Sequence, residues 1–253
     1  MMEASQTTVI WFVCLVLAPW PIAQLLRRAG LGRHEASLIA YNVVAMSPNL
    51  YMAAIGCQAW WFDDTVVAAS TTVHTRLYMP IKSSASLISV TLGYELWNTL
   101  AALVMPEYRT VAFVGHHATT FYLATLATHP FLHYYCAFFL GPPSLSSVLL
   151  GLVDIFRYVD VLHRSFPMAN LALRASFAVT FMATRTIMWP LVALRFWRDV
   201  GGILFSDVPH SRWACGVYLA ANAFLTGLQL LWTLQIVKGL HKAIRGLGGT
   251  RDE

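Results

Sequence analysis

The sequence predicts an all-α, multi-pass transmembrane bundle of about seven helices, and three observations carry that expectation. Of 253 residues, 57% are hydrophobic and only 11% charged, far from the roughly 25% charged composition of soluble domains. Mean hydropathy is +0.58. The apolar residues also gather into runs close to the roughly 20 residues that a helix needs to cross a hydrocarbon core of about 30 Å. Such a core admits only helices or closed barrels, because the backbone must satisfy itself there. The composition excludes a water-soluble enzyme. A net charge of +5 without a Lys/Arg cluster or zinc-finger spacing gives no footprint for nucleic acid.

The spans are expected near Thr8–Leu26, Ser37–Phe62, Ser83–Val104, Thr110–Thr128, Phe131–Leu152, Leu171–Phe196 and Trp213–Val237. The first is read as a retained helix, since no basic segment precedes it, Arg27 and Arg28 follow it, and no A-x-A site closes it. Pro48 should kink the second span, and Pro142–Pro143 should interrupt the fifth. The four cysteines, Cys14, Cys57, Cys136 and Cys215, lie in apolar stretches without C-x-x-C spacing, so no metal site or disulfide framework is expected. Trp60, Trp61 and Trp197 read as interfacial belt residues, and Trp232 as deeper packing.

Basic residues set the orientation, because short cytoplasmic loops are enriched in Lys and Arg. Arg27, Arg28, Arg33, Arg109, Arg157, Arg164, Lys238, Lys242, Arg245 and Arg251 fall on one face, against Arg76, Lys82, Arg195, Arg198 and Arg212 on the other. Ten against five places the C-terminus in the cytosol and the N-terminus in the lumen. The chain divides into N-terminal helices over 1–82, a core over 83–242 and a cytosolic tail over 243–253.

Ionisable groups inside a span cost about 2.5–3.5 kcal/mol each on insertion scales, which makes them candidates for function. His116 and His117 lie roughly 9–11 Å from the cytosolic face at 1.5 Å per residue. Asn98 and Ser146 reach a similar depth, with Glu95, Gln229 and then Arg185 deeper. Consecutive helical residues point about 100° apart, so one histidine can face a cavity while the other supports it. A neutral imidazole in apolar surroundings suits proton abstraction in acyl transfer. The same pair could instead hydrogen-bond across helices and fix packing. Thr120 could return its hydroxyl to the carbonyl of His116, and Glu95 could pair with Arg185. Asp154, Arg157 and Asp160 read as a solvated helix end or as a phosphate site.

One ordered set of motifs resembles the TLC-domain family, which includes ceramide synthases and the TRAM translocon-associated proteins. It comprises Gly93–Tyr94, His116–His117 with Thr120, Phe138–Phe139–Leu140–Gly141, Leu145–Ser146–Ser147, Arg185 with Pro190, and Leu228–Gln229 through Trp232 to Lys238–Gly239, between about Ser83 and Lys242. The pattern looks closest to the short TLC-domain relatives. The resemblance implies a TLC-like helical barrel, residence in the endoplasmic reticulum, and a role in membrane lipid metabolism or homeostasis.

It further implies His116 and His117 as catalytic residues, with acyl-CoA as co-substrate rather than a bound cofactor. Glu95, Asn98, Thr120, Ser144, Ser146, Asp154, Arg157, Arg185 and Gln229 are the ligand-binding candidates. The lipid partner would be a sphingoid base, ceramide or phospholipid, and self-association into a homo-oligomer stays open. Asn98 and Ser144 stand where the family often carries acidic residues, so Glu95 or Asp154 would have to take the carboxylate's place. A non-enzymatic protein that binds or senses lipid, or assists translocation, is the alternative.

Overall fold

Turn chemistry and proline positions cut the apolar runs into the helices of the computed structural model, which describes residues 2–206 and 211–248. In chain order these are α1 (Met2–Leu17), α2 (Pro19–Arg28), α3 (Arg33–Phe62), α4 (Asp64–Ala69), α5 (Val73–Tyr78), α6 (Lys82–Val104) and α7 (Val111–Leu126). They continue as α8 (His133–Phe139), α9 (Pro142–Tyr158), α10 (Asp160–Ser165), α11 (Pro167–Phe181), α12 (Trp189–Leu204) and α13 (Arg212–Gly248). A single 3₁₀ turn, Pro106–Tyr108, leads into α7, and a π-helical segment, Met182–Met188, joins α11 to α12. No strand occurs among the described residues.

Among the described residues, six stretches are long and apolar enough to cross a membrane: Ser5–Arg28, Arg33–Phe62, Val73–Val104, His133–Tyr158, Pro167–Leu204 and Arg212–His241. The chain is therefore an all-α multi-pass bundle, as its composition predicts. The expected span at Thr110–Thr128 is α7, whose 16 residues rise only about 24 Å, short of a full hydrocarbon core. It nevertheless packs between α6 and α13. Large apolar side chains face outward along the bundle, including Val9, Leu17, Leu100, Leu171, Val179, Leu191 and Leu234, as expected of a surface solvated by acyl chains.

Proline acts differently at each site. Pro19 breaks the first span after Ala18. At Pro48, α3 runs on, and the carbonyl of Val44 that loses its usual donor accepts the Ser47 hydroxyl at 2.9 Å instead. Pro142 and Pro143 do interrupt the fifth span, forming the first turn of α9 after a break at Leu140–Gly141. That break is wedged against α3: a Cβ on Gly141 would come within 2.4 Å of Gly56 Cα, and one on Gly56 within 2.0 Å of Gly141 Cα. The two backbones touch because neither residue has a side chain.

Several local expectations are corrected. The sixth span extends beyond Phe196 to Leu204, so Arg198 lies within α12, as Arg195 does, rather than in a loop. Arg76, also expected in a loop, is buried in α5. Its guanidinium hydrogen-bonds Asp199 through Nε and, at 3.0 Å, through Nη2, while Tyr135 Oη donates to the same carboxylate. Trp60 packs on Tyr134 and Phe138, with ring centroids 5.2 and 5.0 Å away, and Trp197 joins the same cluster. Only Trp61 of the expected belt is openly exposed. All four cysteines are free thiols. The expected tail over 243–253 begins as a continuation of α13, which runs to Gly248; the rest of it, 249–253, lies outside the described residues.

Candidate functional site

Two cavities, of about 120 and 510 Å³, meet inside the bundle and share six wall residues: Asn49, Tyr94, His116, His117, Ser147 and Arg185. The smaller extends toward the end of the bundle that holds Leu132, Tyr135 and Tyr218, and its walls are largely apolar. The larger runs the other way, past Tyr41, Tyr108, Phe177 and Trp232 to Asp154 and Arg157 near the end of α9.

The histidines arrive on α7, whose first turn is capped by the Thr110 hydroxyl accepting from Phe113 N–H at 3.2 Å. Both imidazoles border the cavities, with ring centroids 5.0 Å apart and planes nearly perpendicular, as neighbours on a helix require. Their partners differ. His117 Nδ1 hydrogen-bonds Glu95 Oε2 from α6, and both side chains are buried. With Nδ1–H donating to the carboxylate, Nε2 is left as the basic nitrogen, and it has no hydrogen-bond partner among the described residues. His116 stands edge-on to Trp232 at 5.4 Å, and its Nδ1 is buried without a partner.

The expected Glu95–Arg185 pair does not form. Glu95 is taken by His117, and the π-helical turn aims Arg185 at α9 and α13 instead. Pro190 explains that turn: it lacks the N–H that the Thr186 carbonyl would accept, and the preceding residues shift into wider i→i+5 pairing. Arg185 donates through Nε to Ser146 Oγ at 2.8 Å and through Nη1 to Gln229 Oε1 at 3.2 Å. Its Nη2 donates to Pro143 O at 3.0 Å and Ser147 Oγ at 2.9 Å.

The remaining candidates separate into wall and support. Thr120 lines the smaller cavity, and its hydroxyl donates to the His116 carbonyl at 2.9 Å. Ser144 lines the same cavity while bonding the Leu140 carbonyl, and Ser146 lines the larger. Gln229 sits behind Arg185, outside both walls. Asn98 is no wall residue either. One turn beyond Glu95 on α6, it is rotated toward α3 and accepts a hydrogen bond from Tyr41 Oη at 2.5 Å. Arg157 borders the larger cavity, whereas Arg164 lies outside it on α10, exposed and 3.8 Å from Asp160.

Asn49 escaped the sequence reading, yet it lines both cavities and donates to Tyr94 Oη at 2.7 Å. An asparagine beside Pro48 in an apolar run was the available signal. Glu95, His116 and His117 carry ligand atoms within 4.8 Å of one another, the only such group among the described residues. They could offer a two-histidine, one-carboxylate set. The adjacent Arg185 cation and the completed Glu95–His117 bond suit proton transfer better.

A family profile for the TLC domain matches residues 33–238. The chain belongs to the TLC-domain family. The match begins at the start of α3, fifty residues before the stretch whose motifs carry the resemblance, and α3 packs directly on α9 and α6 of that stretch. An uncharacterized TLC domain-containing protein of Schizosaccharomyces pombe is 24% identical over 168 residues, which cover 64% of this chain and 54% of that protein. The chain thus spans about half the length of the curated relative it matches. No solved structure matches.

Proposed function

We propose that this TLC-domain protein acts in membrane lipid metabolism or homeostasis in the endoplasmic reticulum, transferring an acyl group from acyl-CoA to the amine or hydroxyl of a lipid. The observation that carries the reading is the buried Glu95–His117 bond at the junction of an apolar and a more polar cavity. Glu95 supplies the orienting carboxylate that Asn98 and Ser144 do not, one helical turn from Asn98 on the same helix.

In this reading the N-terminus is luminal and the C-terminus cytosolic, and acyl-CoA enters by the larger cavity. Arg157 receives its phosphates, and the acyl chain reaches toward the smaller cavity. A sphingoid base is the acceptor to test first. His117 Nε2 takes the proton of the acceptor amine as its nitrogen attacks the thioester carbonyl. The C–N bond forms, the C–S bond breaks as the tetrahedral intermediate collapses, and the proton passes to the departing thiolate to give CoA thiol.

Microsomes carrying the protein, supplied with labelled acyl-CoA and sphingoid base, should form an amide. His117→Ala should abolish it, and Glu95→Gln should lower the rate by about a hundredfold or more through loss of tautomer control. Amide formation indistinguishable from microsomes lacking the protein would defeat the reading. The neutral side chains at Asn98 and Ser144 favour a second reading, in which the cavity binds or senses lipid without transforming it. Restoration of the lipid profile of a deletion strain by a His116→Ala/His117→Ala double variant would select that one.

A further inference from the structure

We propose that Arg185 makes the cavity junction a receptor for the anionic head of a single-chain lipid, a carboxylate or a phosphate monoester. The inference concerns binding and stands whether or not the Glu95–His117 pair performs chemistry.

The first support is the charge state of Arg185's surroundings. A guanidinium cannot shed its proton in a protein, and a cation inside a bilayer is stable only with compensation. The partners of Arg185 are two hydroxyls, a backbone carbonyl and an amide oxygen, all of them neutral. No carboxylate lies within 4 Å of it among the described residues, and Glu95 is engaged by His117. The Phe181 ring, 5.6 Å from the guanidinium carbon, adds only a cation–π contact.

The second support is a surplus of donors. Of five guanidinium N–H groups, four are used, leaving one on Nη1. His116, which lines both cavities beside Arg185, has a buried Nδ1 with no partner, and in the Nδ1–H tautomer it is a further donor. A group that only accepts hydrogen bonds and carries negative charge answers all of these needs, and a carboxylate or phosphate is such a group.

The third support is what adjoins the head site. Arg185 borders both cavities, and the smaller one continues from it between Leu123, Ala127, Leu132, Phe196 and Leu225. At about 120 Å³ it is small and mostly apolar, with room for the first part of one chain and not for the two of a phospholipid.

The test is competition against a fluorescent fatty acid on the full chain in phosphatidylcholine nanodiscs, with hexadecanoate, hexadecyl phosphate and methyl hexadecanoate as competitors. Hexadecanoate or the phosphate should bind about tenfold or more tightly than the uncharged ester, and the tighter of the two identifies the head. Arg185→Gln should erase that preference by lowering acid and phosphate binding to the level of the ester, and Arg185→Lys should keep part of it. His117→Ala should retain it in full, which separates this result from any loss of acyl transfer. Equal binding of acid, phosphate and ester to the unaltered protein would overturn the proposal however the variants fold. Retention of the preference in Arg185→Gln would overturn it too.

Discussion

Two arginines inside the bundle, Arg76 buried in α5 and Arg185 half-buried at the cavity junction, are answered in opposite ways. Arg76 meets the carboxylate of Asp199 through two nitrogens, and Tyr135 binds the same carboxylate, so charge and hydrogen bonds close on themselves. The three residues tie α5, α8 and α12 together. Arg185 makes four hydrogen bonds against three for Arg76, but only to neutral acceptors, and it borders the two joined cavities, whereas Arg76 lines a separate one together with its partner Asp199. One guanidinium is finished by the fold; the other is left open to a ligand. A cation inside the bundle is therefore read by the charge of its partners, not by their number.

Substitutions that break one side of this contrast should differ most in their cost to stability. Asp199→Ala strands the Arg76 charge inside the protein and should cost about 3–5 kcal/mol, seen as a large fall in melting temperature of the detergent-purified protein. If Asp199→Ala melts no earlier than Arg185→Gln, the contrast fails. Gly141→Val forces a side chain into the Gly56 backbone and should cost about 1–3 kcal/mol by overpacking. Because Pro143, Ser146 and Ser147 follow directly, this variant should also weaken fatty-acid competition. Tyr135→Phe removes one of the bonds to Asp199 and should cost about 1 kcal/mol, measurable by chemical denaturation. Arg185→Gln should be the mildest, within about 1 kcal/mol of the parent in thermal scans, because a half-buried cation with neutral partners carries a desolvation cost that its removal relieves.

The spans were legible because lipid imposes one rule on the whole backbone, and apolar runs record it residue by residue. The break before Pro142 was legible for the same reason that Pro48 misled. Proline always removes a donor, but whether a helix parts depends on a local substitute, and at Pro48 the Ser47 hydroxyl provides one. Depth counting gathered His116, His117, Asn98 and Ser146 into one layer of the membrane, with Glu95 and Gln229 slightly deeper and Arg185 near its middle, since rise per residue is nearly constant. It could not assign partners. Glu95 and Arg185 read as a natural pair by charge, the long arginine side chain bridging their difference in depth, yet Glu95 binds His117, and Asn98, three residues on, turns away to Tyr41.

The amino-acid sequence by itself determined that this chain lives in a bilayer, that it is helical, and which few polar side chains enter the apolar interior. Those properties follow from composition and from periodicity along one chain. Tertiary structure alone decided that Glu95 orients His117, that a π-helical turn swings Arg185 onto α9 and α13, and that Arg76 and Asp199, 123 residues apart, close on each other. Each depends on the rotation of one helix about its axis relative to another. Packing sets that angle, and no single helix encodes it.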